Sequence, residues 1–349
     1  MSKFVFIGAG YEGKRLYQSL LAAVTAEEKE STEVSFLSKE ETKALESAPP
    51  EDIERYFSDV DMVVNATNDD QHLSVLKILQ HTKCFILSEK PLAAPGERIP
   101  ERLNEKWSTD NIFALNCIER YSAAATEVKQ KINESGLTVN RIDFTWAKNR
   151  FDDPRPTVGV VSEIIHPLDL CCYLSGSDTT DLQLLDASIV GSNYGSPSKV
   201  LPETAQVTFC LADTIVTGSA SFGYSSRMRR VNIIASSTDG EREYFELTFD
   251  DPRWDYDHLS HWSSSGSKPF KNTVYEPALG NYPEGCDKLV RFWKELLANE
   301  RNPRFTTWRE ALDLHQFLTE ISRYQKGAVL YPSGPQRFQL DRSNSERLG

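Results

Sequence analysis

Three glycines stand between an apolar run and a helical pattern close to the start of the chain. The run Phe4 to Ile7 suits a central parallel strand, and GAGYEG (residues 8–13) follows it directly. In this context Gly8 is predicted to make a tight turn, and Gly13 to let the next helix pack closely on the strand. Gly10 would let a pyrophosphate approach the backbone beside the free N–H groups of the helix start. The pattern therefore predicts a dinucleotide-binding site.

The alternation of strand and helix continues through the first third of the chain. Further strands are predicted at Glu33 to Leu37, Val60 to Asn65, Cys84 to Leu87 and Ile112 to Ile118, and helices at Lys14 to Val24, from His72 onward and near Pro100 to Thr109. Such alternation predicts a doubly wound parallel sheet, in which ligands bind beyond the carboxyl ends of the strands. Lys90 follows one of these ends, in KCFILSEKPLA (residues 83–93). A charged group there is costly to desolvate, which indicates a chemical role.

The rest of the chain contains strands of a different kind of sheet. Strand-like segments occur at Arg141 to Ala147, Leu182 to Val190, Ala205 to Leu211, Ile215 to Phe222, Val231 to Ser236 and Arg242 to Asp250. They predict a large, mainly antiparallel open sheet packed on helices. We therefore predict an α/β protein with an N-terminal Rossmann domain (residues 1–120) and a C-terminal α+β domain for substrate binding and oligomerisation (residues 121–349). The polar tail after Pro332 is predicted to be partly mobile.

The second sheet also predicts assembly. Its apolar strand surface is larger than one layer of helices would cover, which favours a homodimer or homotetramer.

Composition and charge argue against several classes of protein. The net charge of −12 and the pI near 5.1 argue against a nucleic-acid binder, whose surface would be basic. No transmembrane segment is visible, and MSKFVFIGAG lacks the apolar stretch and cleavage site of a signal peptide. We expect a cytoplasmic protein with a small-molecule substrate, and no nucleic-acid or membrane partner.

The cysteines and histidines form no metal-binding pattern. Six cysteines are scattered without a CxxC pair, mostly in apolar segments, which favours free buried thiols over disulfides or a metal site. DPRWDYDHLSHW (residues 251–262) contains His258 and His261, which are too few ligands for a metal at this spacing. We interpret this aromatic stretch as a substrate-covering loop or a subunit contact.

The end of the second predicted strand bears on the choice of cofactor. NAD sites usually have a carboxylate there, which accepts a hydrogen bond from the adenosine ribose. This chain has Ser38 and Lys39 instead, and a hydroxyl with an ammonium group suits the 2′-phosphate of NADP. In the alternative, Lys39 is solvated and Glu40 or Glu41 reaches the ribose. The prediction is NADP(H), with NAD(H) as the alternative.

Three motifs together resemble one known family. GAGYEG, DMVVNATNDDQH (residues 61–72) and ILSEKPLA (residues 86–93), at these separations, resemble the Gfo/Idh/MocA oxidoreductases. NCIERYSAAATEVKQKI (residues 116–132) and FTTWREALDLHQFLTEI (residues 305–321) extend the likeness over essentially the whole chain. The resemblance implies an NAD(P)-dependent dehydrogenase or ketoreductase that acts on sugars, cyclitols or nucleotide sugars.

The resemblance assigns the central role to Lys90. Its ammonium group would donate a hydrogen bond to the reacting oxygen and stabilise the negative charge that develops there. Restricted solvent and the positive nicotinamide are expected to lower its pKa. Pro91 would fix the backbone direction through a cis peptide bond, and Glu89 would orient the lysine or the nicotinamide ribose.

The resemblance places proton transfer in GVVSEIIHPLDLCCYLSG (residues 159–176). His166 and Asp169 match the histidine and last aspartate of the family pattern DxxxHxxD, which makes His166 the predicted acid/base. The first aspartate is not matched, because Ser162 stands there with Glu163 beside it. Either Glu163 substitutes for that aspartate, or the chemistry relies more on Lys90 and His166.

The predicted site residues fall into three groups. Catalytic roles are predicted for Lys90, Glu163, His166 and Asp169. Cofactor contacts are predicted for Gly8, Gly10, Tyr11, Glu12, Gly13, Ser38, Lys39, Thr67, Asn68, His72, Glu89, Lys90 and Pro91. Substrate contacts are predicted for Lys90, Arg120, Asn149, Arg150 and His166, with Lys148 near the same cleft.

Two other functions are compatible with these residues. The substrate could be a cyclic diol or an imine, an alternative that Ser162 makes worth keeping. A regulator that senses NAD(P) without turnover is the other, but a pure sensor has no need of both Lys90 and His166.

Overall fold

Five strands in the first third of the chain form a parallel sheet. The computed structural model describes residues 2–108, 112–151, 153, 155–195, 199–266, 270–278, 280, 282–298 and 304–331. The strands are β1 (Ser2–Ile7), β2 (Thr32–Leu37), β3 (Met62–Asn65), β4 (Phe85–Ser88) and β5 (Phe113–Leu115). Their order is β2-β1-β3-β4-β5, and every neighbouring pair is parallel. β3 is buried along its whole length, as an uninterrupted apolar run in a parallel sheet should be.

The strand order locates the edge at which ligands bind. β1 lies between β2 and β3, so the order reverses there, and binding sites in such sheets lie beyond the carboxyl ends of the strands at this point. The glycine motif follows β1, and Lys90 follows β4, the neighbour of β3. The helices of this part are α1 (Tyr11–Ala23), α2 (Ala26–Glu30), α3 (Lys39–Glu46), α4 (Pro50–Tyr56), α5 (His72–Leu79) and α6 (Glu101–Trp107).

A larger sheet occupies the rest of the chain. Its strands are β6 (Thr138–Asn149), β7 (Leu182–Ser192), β8 (Leu201–Leu211), β9 (Thr214–Ser221), β10 (Gly223–Ser236), β11 (Arg242–Thr248), β12 (Asp257–Ser263), β13 (Lys271–Tyr275) and β14 (Gln325–Val329). The order is β13-β12-β11-β10-β6-β9-β8-β7-β14. Two pairs, β6 with β9 and β7 with β14, are parallel, and the others are antiparallel. The predicted fold class is therefore confirmed.

Three strands of the larger sheet were not predicted. β12 begins inside the aromatic stretch that was interpreted as a substrate-covering loop or a subunit contact, so the loop alternative is wrong for its second half and the subunit contact stays a prediction. β13 and β14 are short edge strands rich in polar residues, and they lack the alternation that marks a half-buried strand. The predicted helix end at Thr109 and the tail after Pro332 lie outside the described residues.

The helices that follow β5 in the chain pack on both sheets. They are α7 (Ala123–Glu134), α8 (Ile165–Ser175), α9 (Asp287–Ala298) and α10 (Trp308–Ser322), with 3₁₀ helices at Ile118–Tyr121, Val160–Glu163 and Thr179–Asp181. From α9, the indole nitrogen of Trp293 donates to the carbonyl oxygen of Leu16 in α1 at 3.1 Å. From α10, the Trp308 ring lies 4.7 Å from that of Trp107 in α6. The helices α9 and α10, which follow most of the larger sheet in the chain, therefore pack against helices of the parallel sheet.

The cysteines are free, as predicted, and five of the six are buried while Cys210 is partly exposed. Among the described residues, no helix combines the length and apolar character needed to cross a lipid bilayer.

Candidate active site

The glycine motif forms the turn between β1 and α1. Gly8 has a φ of +108°, and a Cβ there would lie 2.3 Å from the carbonyl oxygen of Ala66. A Cβ on Gly13 would lie 1.9 Å from the carbonyl oxygen of Gly8. Both contacts are too short to exist, so the fold itself requires glycine at these two positions.

Gly10 is different, because the protein alone does not require glycine there. Its φ of −73° suits any residue, and apart from Gly10, its chain neighbours and the adjoining helix backbone, no atom of the described residues lies within 4 Å of a Cβ built on it. Gly10 is also the N-cap of α1, an end that no described side chain caps. Free N–H groups beside open space are what a pyrophosphate needs. The residues present therefore fit a dinucleotide.

Tyr11 and Glu12 begin α1 at this turn. Tyr11 is 51% exposed, and its ring centroid lies 5.9 Å from the guanidinium carbon of Arg155. Arg155 follows β6, so a segment next to the larger sheet contacts the glycine motif. The carboxylate of Glu12 pairs with the Nε atom of Arg15 at 3.2 Å.

The end of β2 has a structural role that its sequence also encodes. Ser38 is the N-cap of α3, and its hydroxyl accepts a hydrogen bond from the backbone N–H of Glu41 at 3.1 Å. The Glu41 carboxylate accepts one in return from the Ser38 backbone N–H at 2.7 Å. This capping box occupies the Glu41 carboxylate, which makes Glu41 a less suitable acceptor for the adenosine ribose. Glu40 is then the carboxylate that would contact the ribose if the cofactor is NAD. Lys39, in the first turn of α3, is exposed.

The segment after β3 is tied to the end of β4. Thr67 donates from its hydroxyl to Asn65 Oδ1 at 2.8 Å, and Asn68 is exposed. His72 is 1% exposed, with Nδ1 2.6 Å from the Pro91 carbonyl oxygen and Nε2 3.0 Å from that of Thr67. Both ring nitrogens are thus engaged within the protein. His72 positions Pro91, and its direct cofactor contact stays a prediction.

Lys90 shares a carboxylate with a second lysine. Its Nζ lies 3.0 Å from Glu163 Oε1, and the Lys90-Pro91 peptide bond is cis. Lys148, the next-to-last residue of β6, places its Nζ 2.9 Å from Glu163 Oε2. The Ser162 hydroxyl lies 2.8 Å from the carbonyl oxygen of Gly159 and 3.3 Å from Asp69 Oδ2, and can donate to either. Glu163 therefore lies where it can assist Lys90. It would need this position if it substitutes for the unmatched aspartate.

The charges around Glu163 shift the pKa values of Lys90, Lys148 and Glu163 itself. Burial alone would lower the pKa of Lys90, but the carboxylates of Glu163 and Asp69 outweigh burial and raise it. The lowering expected for Lys90 is therefore wrong for the protein itself. Burial opposes the charged form of Glu163 too, but the two lysines hold its pKa well below the ordinary value. Lys148 instead has a pKa lowered to about 7, because burial and nearby cations outweigh the attraction of Glu163.

His166 belongs to a buried network of charges. Its Nδ1 lies 2.8 Å from Glu119 Oε2. Although burial opposes it, His166 and Arg229 hold the pKa of Glu119 down at about 2. Arg229 pairs with Asp250, whose other oxygen lies 2.9 Å from Lys288 Nζ. The network holds His166 in place from below the site.

Asp169 and Arg120 form a buried ion pair. Asp169 is fully buried and accepts hydrogen bonds from Arg120 Nε at 2.8 Å and Nη2 at 2.7 Å, and from the Thr306 hydroxyl at 2.7 Å. Arg120 also donates to Glu310 and to the carbonyl oxygen of Arg304. Their polar atoms are already engaged, so the structure gives them a packing role. The catalytic role of Asp169 and the substrate contact of Arg120 stay predictions.

Asn149 is the last residue of β6, and Arg150 begins the segment that follows. Asn149 is exposed, and its Oδ1 accepts a hydrogen bond from the backbone N–H of Phe151 at 2.9 Å. Arg150 is 7% exposed, donates to the carbonyl oxygen of Arg155 at 2.8 Å and pairs with Asp153 at 3.0 Å. Arg150 thus shapes the segment that follows β6, and its substrate contact stays a prediction. A substrate contact of Asn149 stays a prediction.

Glu89 is a buried carboxyl group with an unusual acidity. It is 6% exposed and accepts a hydrogen bond from the side-chain amide of Asn116. Burial, followed by the nearby carboxylate of Glu12, raises its pKa to about 7, although Arg15 opposes the shift. Glu89 therefore changes its charge near neutral pH.

Replacing Glu89 by glutamine is expected to stabilise the protein at high pH. The folded pKa of about 7 lies above the ordinary 4.5, so the wild-type protein loses stability as the pH rises through this interval. The difference corresponds to at most about 3 kcal/mol in the free energy of unfolding. Thermal unfolding at pH 5 and pH 8.5 should show a higher melting temperature for Glu89→Gln mainly at pH 8.5. Glu105→Gln, on the exposed side of α6, is the control, and an equal effect of Glu89→Gln at both pH values would contradict the prediction.

Two functional candidates were given no catalytic role by the sequence. Lys148 was predicted to lie near the cleft, where it could hold hydroxyls or a phosphate, although a lysine at the end of a predicted strand is the signal that singled out Lys90. Glu119 has no such signal, because its pairing with His166 joins residues 47 positions apart.

Comparison with known proteins bears on the fold. No protein-family model matches the sequence, and comparison with curated proteins finds no match. Solved structures do match. A 3-ketoreductase from Actinomadura kijaniata, in complex with TDP-benzene and NADP, has a TM-score of 0.63 at 13% identity, covering 95% of this chain and 99% of its own. A UDP-N-acetylglucosamine 3-dehydrogenase from Acidithiobacillus ferrooxidans has 0.64 at 16%, covering 93% and 97%.

An oxidoreductase from Sinorhizobium meliloti has a TM-score of 0.69 at 14% identity, covering 93% of this chain and 97% of its own. The likeness shows the fold. These chains match nearly end to end, so the combination of both sheets, and not the first sheet alone, is what they have in common with this protein.

Proposed function

We propose that this chain is an NAD(P)-dependent oxidoreductase of the Gfo/Idh/MocA type, which interconverts a secondary alcohol and a ketone and prefers NADP(H). The meeting of Lys90 and Glu163 beyond the sheet edge that also bears the glycine motif carries the proposal. A partly buried ammonium group is thereby available where substrate and cofactor would meet.

The proposed substrate is a sugar, cyclitol or nucleotide sugar. In support, two solved structures with this fold are a UDP-N-acetylglucosamine 3-dehydrogenase and a 3-ketoreductase in complex with TDP-benzene and NADP. A cyclic diol or an imine is the alternative substrate. It is kept because Ser162 stands at the position of the family aspartate.

The residues that would hold the cofactor lie at three strand ends. The backbone of Gly10 and the start of α1 would bind the pyrophosphate, and Ser38 with Lys39 would bind the 2′-phosphate. Thr67 and Asn68, after β3, would lie along the dinucleotide. When bound, the nicotinamide supplies the group that accepts or donates hydride.

The protein's own residues prepare the reacting oxygen. Lys90 stays an ammonium group because Glu163 and Asp69 raise its pKa, so it can donate a hydrogen bond whenever substrate is present. Glu163 fixes the direction of that donor through its 3.0 Å contact. A fixed donor costs no reorganisation as negative charge develops on the oxygen. His166, held at Nδ1 by Glu119, is the second group proposed to contact that oxygen.

Cofactor turnover with a panel of carbonyl compounds would test the proposed function. We expect NADPH oxidation with a keto sugar or a nucleotide-linked keto sugar. Turnover confined to cyclic ketones or imines would favour the alternative substrate class. Tight NADPH binding without any turnover would favour the regulator, and a lack of NADPH binding in calorimetry would refute the oxidoreductase.

Replacing Lys39 by aspartate is expected to remove the preference for NADPH over NADH. The ammonium group of Lys39 is exposed at the start of α3, where it can pair with a 2′-phosphate. Loss of one charged hydrogen bond should weaken NADPH binding by about 10- to 100-fold. Dissociation constants for both cofactors can be measured by calorimetry. Lys43→Asp, farther along the same helix, is the control, and equal affinities of the wild-type protein for the two cofactors would contradict the prediction.

The domain boundary at residue 120 and the assembly of two or four chains stay proposals. Stacked rings of Tyr244 and Trp262, with centroids 5.5 Å apart, lie on the face of the larger sheet opposite the buried Phe245. Ile215, 45% exposed, lies opposite the buried Val216 in the same sheet. Apolar groups on this face support the expectation that a second chain covers it.

A further inference from the structure

Two partly buried lysines and one buried carboxylate form a group that carries an excess positive charge. The side chains of Lys90, Glu163 and Lys148 are 16%, 7% and 24% exposed. Glu163 contacts Lys90 through one oxygen and Lys148 through the other, at 3.0 and 2.9 Å. One carboxylate cannot neutralise two ammonium ions, and an uncompensated charge in a poorly solvated place is costly. One of the two lysines should therefore lose its proton more readily.

The surroundings decide which lysine that is. Lys90 also faces the carboxylates of Asp69 and Glu89, which favour its charged form. The groups around Lys148 are the Glu163 carboxylate from the 3₁₀ helix Val160–Glu163 and three cations, Lys90 after β4, Arg150 after β6 and Arg229 on β10. Burial and these cations lower its pKa to about 7. Its ammonium group also lies 5.1 Å from the ring centroid of Phe222.

We infer that Lys148 is the proton acceptor of this site and takes the proton that a substrate hydroxyl releases when hydride leaves the adjacent carbon. The inference rests on the proposed function. In the oxidation, the C–H pair of electrons goes with hydride to the nicotinamide, and the O–H proton goes to the neutral amine of Lys148. The products are a ketone, reduced cofactor and an ammonium group paired with Glu163. The reduction runs the same steps in reverse.

The contacts of Lys90 and His166 are consistent with Lys148 as the proton acceptor. Lys90 keeps its proton and donates a hydrogen bond to the oxygen, so it cannot also accept a proton from it. His166 is held by Glu119 at 2.8 Å and stacks on Trp146 with ring centroids 5.8 Å apart. It can orient the substrate from this fixed place. Lys148 is the group whose acidity matches proton transfer near neutral pH.

An NMR titration would test the acidity of Lys148 without substrate or cofactor. Lysine side chains labelled with ¹³C report their protonation through the Cε chemical shift, and the Lys148 signal is the one missing from the Lys148→Arg spectrum. We expect it to titrate near pH 7, whereas the Lys90 signal should stay in its ammonium form through pH 10. In Lys90→Met, removal of the neighbouring cation should move the Lys148 midpoint upward by about one pH unit or more. A Lys148 midpoint above pH 9.5 in the wild-type protein would overturn the inference.

Single-turnover kinetics would test the role itself. Lys148→Arg keeps the charge but cannot release a proton at these pH values, so hydride transfer should slow by about 10²- to 10⁴-fold and lose its pH dependence near 7. NADPH affinity should not change. His166→Gln should slow the reaction but keep that pH dependence, and Lys77→Arg, on the exposed side of α5, is the control. Retention of the wild-type rate and pH dependence in Lys148→Arg would overturn the inference. A lack of NADPH binding by the wild-type protein would instead refute the proposed function, whatever the NMR titration shows.

Discussion

Replacement of Lys90 by alanine is expected to slow single-turnover hydride transfer by about a hundredfold or more, the scale for losing one preorganised donor to a developing oxyanion. The lysine is fixed by Glu163 at 3.0 Å and by the turn that His72 ties to β3, so its donor is held in one direction. NADPH affinity should be retained, since the phosphates would bind at the glycine motif. In this measurement the enzyme–substrate complex is mixed rapidly with NADPH, which is in excess over the bound substrate. The rate of hydride transfer is then observed separately from product release.

A control separates the loss of this donor from a general loss of positive charge. Lys83 stands just before β4 and pairs with Glu54 at the surface, with its side chain 84% exposed. Lys83→Ala should transfer hydride at the wild-type rate. If Lys90→Ala does the same, Lys90 is structural, and the regulator that senses NAD(P) becomes the better hypothesis. Melting temperatures of both variants would show that the comparison is made on folded protein.

Replacement of Gly10 by valine is expected to abolish dinucleotide binding without unfolding the protein. The backbone at Gly10 is in a conformation that any residue adopts, and the described residues leave the space around its Cβ open. A valine side chain would fill the space into which the pyrophosphate must come. Calorimetry should detect no NADPH binding at concentrations that saturate the wild-type protein, while circular dichroism and the melting temperature stay close to wild type.

The neighbouring glycine provides the contrast. A Cβ at residue 13 would lie 1.9 Å from the carbonyl oxygen of Gly8, so Gly13→Ala must force α1 away from β1. That variant should lose stability as well as binding. A folded Gly10→Val protein that binds NADPH with wild-type affinity would show that the motif serves another purpose than holding a cofactor.

Much of the fold could be predicted because its signals are local. The run MVVN in β3 is apolar throughout, and such a run suits a strand covered on both faces. The start of α5 at His72 and the first six strands of the larger sheet were likewise readable from apolar periodicity. The edge strands β13 and β14 were missed, since an exposed strand at an edge has little apolar surface to bury and therefore little pattern.

The candidate site was predictable only where one motif contained the whole feature. The glycine motif and the lysine before Pro91 are of this kind. Ser38 has a cap role that the spacing Ser-x-x-Glu also encodes, and it was interpreted only as a phosphate ligand. Arg120 and Asp169 were given roles by resemblance, and the structure shows that they pair with each other across 49 residues of sequence.

The sequence by itself determined that this chain builds a glycine turn before a helix, a parallel sheet, and a lysine at the end of a buried strand. Those properties depend on which residues are adjacent in the chain. Only the tertiary structure decided how the charges are shared, because Glu163 contacts lysines that lie 73 residues away at Lys90 and 15 residues away at Lys148. The acidity of each lysine follows from how many carboxylates and cations surround it in a poorly solvated space, and the fold alone brings those neighbours together.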